Sequence, residues 1–175
     1  MKATRTLLCA LLVALAATVA SCGDSTPTAP QPDVTPNPEL LGSLGARLGL
    51  LRCAPLPYDS VTQTVGWAGG TIRVGPHVLT IPAGALRNAV TITAVTAPDS
   101  VNAVRFGPAG LTFDRPAALT LSYANCGLIA RLFPKHIAYT SDDLRILELL
   151  PSLDILSLQK VSAPLRHFSV YAVAW

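Results

Sequence analysis

The sequence predicts an all-β fold, an antiparallel β-sandwich, running from Val61 to Trp175. Three observations carry this. From Val61 onward, apolar and β-branched residues recur with period two, the spacing that sends alternate side chains to opposite faces of a sheet. Turn signals separate these runs at short intervals, as in sandwiches built from many short strands. Charged residues make up only 13% of the chain, so Val, Leu, Ile and Ala are plentiful enough for a packed core.

The strands follow in order. Val61–Val65, Thr71–Val74, His77–Ile81, Val90–Val95 and Ala118–Tyr123 alternate or are β-branched. Gly69-Gly70, Gly75-Pro76, Pro82-Ala83-Gly84, Pro98-Asp99-Ser100 and Gly107-Pro108-Ala109-Gly110 punctuate them. Further strands are expected at His136–Tyr139, Leu144–Leu149, Gln159–Ser162 and Ser169–Trp175. Leu144–Leu150 and Leu153–Leu158 are rich enough in leucine to read equally as helical turns. Upstream, residues 39–60 predict a short helix and a lead-in. Asn37 and Pro38 suit its start, and Leu40, Leu41, Leu44, Leu48 and Leu51 fall near one face. Gly42, Gly45 and Gly49 weaken it by up to about 1 kcal/mol each.

The first 21 residues have the anatomy of a secretory signal. Lys2 and Arg5 precede an apolar run from Leu7 to Ala20, which ends in small residues. Val19-Ala20-Ser21-Cys22-Gly23 resembles a bacterial lipoprotein lipobox. The resemblance implies cleavage before Cys22 and acylation of that cysteine, which then anchors the chain in a lipid bilayer. The alternative is an ordinary signal peptide with a coincidental cysteine. Gly23 is not the aspartate that retains many such proteins in the inner membrane. The expected address is therefore the cell envelope, at the outer membrane where the source has two membranes. Residues 22–38 carry a dense series of prolines and read as an extended tether. At about 3.1 Å per residue it reaches roughly 40–50 Å.

This reading changes the charge and the cysteines. Lys2 and Arg5 leave with the signal and no acid does, so the formal charge falls from +3 to +1. A near-neutral chain gives no basic surface for nucleic acid. Cys9 leaves too and Cys22 is committed to lipid, so Cys53 and Cys126 are the intrachain pair available for a disulfide in an oxidising compartment. The alternative is two unpaired buried thiols.

Four segments of the β region resemble the ZU-five domain, the sandwich of ankyrins, netrin receptors and zonula-occludens proteins. They are Gly69-Gly70-Thr71, Leu79–Leu86, Gly107–Pro116 with Leu119-Thr120-Leu121, and His167–Val173. Pro82 ends strand pairing after Ile81, Gly84 permits a turn, Phe113 is a candidate for the interior and Pro116 is expected to open a strand. The resemblance implies a sandwich serving binding or scaffolding. The cytosolic partners of those proteins do not carry over to an exported chain, which leaves an envelope protein or glycan as the expected ligand class.

One constellation carries chemistry. Some self-cleaving members of that domain class break a His-Phe-Ser sequence between Phe and Ser, and His167-Phe168-Ser169 matches it. The reading is a last strand that packs through Phe168; in the alternative, self-cleavage, Ser169 would be the nucleophile and His167 the proton carrier. His77 and His136 are expected at exposed strand ends, without the spacing of a metal site. Asp142-Asp143 reads as a hairpin turn. Trp67, Tyr123, Tyr139, Tyr171 and Trp175 are read as core, with a binding surface as the alternative. No cofactor motif is present, and the reading is non-enzymatic.

Overall fold

A computed structural model describes residues 48–175, which form two antiparallel sheets packed face to face. The signal segment, Cys22, the proline tether and residues 39–47 of the expected helix lie outside the described residues. Eleven strands are present among the described residues: β1 Asp59–Val65, β2 Gly70–Val74, β3 His77–Ile81, β4 Val90–Thr96, β5 Ala103–Gly107, β6 Thr112–Ser122, β7 His136–Thr140, β8 Ile146–Leu149, β9 Leu153–Ile155, β10 Lys160–His167 and β11 Val170–Ala174. One sheet has the order β1-β4-β5-β11-β7-β8 and the other β2-β3-β6-β10-β9.

The core lies between the sheets and is filled by the alternating residues. Ile92, Ala94, Val104, Phe106, Ile137, Tyr171 and Val173 come from one sheet; Ile72, Leu79, Ile81, Leu119, Leu121, Val161 and Leu165 come from the other. β11 is buried on both faces. Its small Ala172 and Ala174 turn away from the main core, where Leu50, Val101, Ala138 and Leu144 cover them in a second cluster. The leucine-rich stretch resolves into β8, β9 and a 3-10 turn at Leu156–Leu158.

Three local readings need correction. Residues 48–53 are not helical: Leu50 bridges Ala174 and Arg52 bridges Val101, so the lead-in is extended. Leu50 enters the outer cluster and Leu51 the main core, the two-sided burial of an extended segment. Pro116 does not open a strand but lies inside β6. There, five steps along β6 from Thr112 to Ala117 oppose two steps along β10, and this bulge spares the ladder a missing amide donor. His77 is wholly buried rather than exposed.

The strand registers define two ends. Asp59 pairs with Thr96, and Ala174 pairs with His136 and Leu50, so the chain enters the described fold at the end holding Leu48 and Trp175. At that end Cys53 and Cys126 are joined in a disulfide, 73 residues apart in sequence. Asn125 Nδ2 donates to the Ala54 carbonyl at 2.5 Å and to Asn102 Oδ1 at 3.0 Å. Asn102 Nδ2 in turn donates to Asn125 Oδ1 at 2.7 Å and to the Ser122 carbonyl at 2.9 Å.

Candidate functional site

The segments set apart by sequence pattern converge at the other end. In the β1–β2 turn Gly69 has φ +75°, and a Cβ there would lie 2.3 Å from the Ile81 carbonyl oxygen. Only glycine lets this turn lie against the end of β3. The Gly84 amide donates to the Trp67 carbonyl at 2.8 Å, and the Asp114 amide donates to the Ala85 carbonyl at 3.0 Å. Arg87 closes the contact with two bonds to Asp114, at 2.7 and 3.2 Å, and Arg115 Nη1 reaches the Ala83 carbonyl at 3.2 Å. The Arg87 guanidinium holds the Asp114 carboxyl below its usual range, chiefly by hydrogen bonding. A hollow of about 360 Å³ opens beside this pair, lined by Leu86, Asn88 and Leu111 among others. Trp67 stands at the rim of the same loop group, 68% exposed.

His167-Phe168-Ser169 belongs to this end. Phe168 is buried between Phe106, stacked at 5.1 Å, and Phe113, edge-on at 5.1 Å. Its amide donates to the Leu111 carbonyl at 2.8 Å, and its own carbonyl accepts from the Gly110 amide at 3.1 Å. The flanking side chains diverge. His167 lies edge-on to Tyr139 at 5.0 Å, and the Tyr171 hydroxyl donates to the His167 carbonyl at 2.7 Å. Its Nδ1 is 3.3 Å from that same hydroxyl. Burial pushes the Tyr171 hydroxyl up, so it remains a donor. His167 lines a hollow with Glu148, Pro164 and Tyr171, whereas Ser169 lines a different one with Arg105, Ala109 and Asp142. Asp142 pairs with Arg105, and Asp143 accepts from Ser141 in the β7–β8 turn, as expected of a hairpin.

The aromatic residues divide. Tyr123 and Tyr171 are core, Tyr139 is half-buried, and Trp67 and Trp175 are exposed. Two polar groups went unread in the sequence. Lys135 is buried with its Nζ 4.4 Å from the Trp175 ring centre and bonded to the Phe133 carbonyl. Asp154 accepts from the Tyr123 hydroxyl at 2.6 Å and from the Lys135 amide at 2.9 Å. Burial lowers the Lys135 ammonium and Asp154 opposes that shift. Among the described residues, no group of three or more His, Cys, Asp or Glu side chains could hold a metal ion. No protein-family model matches the chain, and no curated protein matches it.

Proposed function

We propose that this chain is a membrane-anchored cell-envelope lipoprotein that displays a ZU-five-like sandwich as a non-enzymatic binding or structural module. One observation carries the display reading. The described fold is stapled by a disulfide at the end where the chain enters it, while the loops with exposed Trp67 gather at the opposite end. An anchor at Cys22 followed by a proline-rich segment would leave that far end free to meet an envelope protein or glycan. Multiple acyl chains on Cys22 hold such a protein on the bilayer, at about 0.8 kcal/mol per buried methylene. A photo-crosslinking residue at position 67, compared with one at Lys160, tests the display reading in intact envelopes. Adducts specific to position 67 are expected, and equal or absent labelling at both contradicts it.

A second reading is favoured by the Gly110 amide on the Phe168 carbonyl, since self-cleavage between Phe168 and Ser169 requires a donor at that oxygen. Ser169 Oγ would attack this carbonyl carbon. The peptide C–N bond would break to leave an ester and a free Ser169 amine, which water then resolves to a Phe168 carboxylate. His167 would have to turn from Tyr171 to serve Ser169. Denaturing intact-mass measurement decides the matter: two fragments that vanish in Ser169→Ala support cleavage, and one full-length species rejects it.

A further inference from the structure

The end at which the chain enters the fold carries its own exposed apolar group. Leu128, Leu132 and Phe133 follow Cys126 in a 3-10 turn and loop, and Leu48 begins the described chain; these four are between 59% and 77% exposed. Trp175 joins them: its amide donates to the Gly49 carbonyl at 3.0 Å, and its ring lies edge-on to Phe133 at 6.3 Å. Side chains that exposed pack against little of their own protein. Lys135 Nζ lies 4.4 Å from the Trp175 ring centre in cation–π contact, and Trp175 remains 39% exposed. The segment from Gly127 to His136 contains no acid, and the Asp154 carboxylate beside it is taken up by the Tyr123 hydroxyl and the Lys135 amide.

We infer that this apolar tip docks into the surface of a lipid bilayer. Leucine, phenylalanine and tryptophan are the side chains that enter the headgroup–acyl boundary of a membrane. The occupant is a bilayer because Leu48 is in the tip, and only 25 residues separate it from Cys22. This choice of occupant rests on the anchoring reading above. A lipid-held chain keeps the tip near the membrane at high effective concentration, which adds to the tip's own affinity for the bilayer. Docking there turns the Trp67 end away from the bilayer.

The test uses the mature chain from residue 22 with Cys22→Ser, so that binding owes nothing to lipidation and an unlipidated Cys22 in cells leaves the result intact. Vesicles of phosphatidylethanolamine and phosphatidylglycerol, with and without brominated acyl chains, are the probe. The protein should sediment with them. Brominated lipid should quench Trp175 in Trp67→Phe and spare Trp67 in Trp175→Phe, since the two indoles sit at opposite ends. Leu128→Ser/Leu132→Ser/Phe133→Ser should lower partitioning by roughly tenfold or more, with far-UV circular dichroism unchanged. Absence of sedimentation of the parent chain, or equal quenching of both indoles, overturns the inference. So does concentration-dependent self-association that the triple variant abolishes while vesicle binding is absent, because the tip would then meet a second copy.

Discussion

His77 shows how one side chain ties acid stability to the core. Its Nδ1 accepts from the Ser122 amide at 3.1 Å, which fixes the neutral ring with its proton on Nε2, a buried atom with no protein partner. Burial lowers its pKa from 6.5 to about 4. Above pH 6.5 the ring is neutral whether folded or not. Between pH 6.5 and 4 the unfolded chain takes up a proton that the folded one refuses, so stability falls by about 3 kcal/mol across that window. Urea unfolding against pH should show this limb in the parent and lose it in His77→Gln. The residue was legible in hindsight, because it is in phase with the inward Leu79 and Ile81, and phase outranks polarity when a hydrogen bond is available. Phe168 packs between Phe106 and Phe113, and Phe168→Ala should cost about 3–5 kcal/mol in equilibrium unfolding. Lys135 and Asp154 were not legible, since 19 positions and two strands, β7 and β8, separate the Lys135 amide from the Asp154 carboxylate that only folding brings to it.

Elements and their connections reveal where pattern reading succeeds. Strands with strict alternation, such as β3 and β4, stand close to where periodicity put them because one face meets the core. The lead-in failed for a physical reason: leucines at helical spacing matter less than a sheet end that offers Ala174 and Val101 for bridging. The 144–158 stretch stayed ambiguous because β8 and β9 are short edge strands, and their exposed leucines have no inward-outward contrast. The Cys53–Cys126 pairing came from cysteine arithmetic, and the structure adds that the bond clamps this lead-in. Closing a loop of this length stabilises the fold by about 4 kcal/mol on the loop-entropy model. Cys53→Ala/Cys126→Ala should show that loss in urea unfolding, and an unchanged midpoint would refute it. At the opposite end, Gly69→Ala should cost more than about 1–2 kcal/mol, because its left-handed backbone is aggravated by the 2.3 Å approach to the Ile81 oxygen. Thermal melts of that variant check the prediction.

At the scale of the whole molecule, the two ends of the sandwich are chemically distinct. The entry end combines the disulfide, the Asn102–Asn125 pair and exposed apolar side chains; the far end combines interlocked turns, the Arg87–Asp114 pair and Trp67. Sequence motifs marked the far-end loops one by one, but only the strand registers bring them to a common end. The entry-end tip went unread because Leu128, Leu132 and Phe133 have no strand periodicity and look like core residues until their exposure is known. Membrane display turns on Cys22, and intact-mass analysis of the protein extracted from membranes of expressing cells tests it. A mature chain beginning at Cys22 is expected, carrying the mass of acyl chains on that residue and lost to the soluble fraction in Cys22→Ser. A mature chain with another N-terminus, or with an unmodified Cys22, would contradict it.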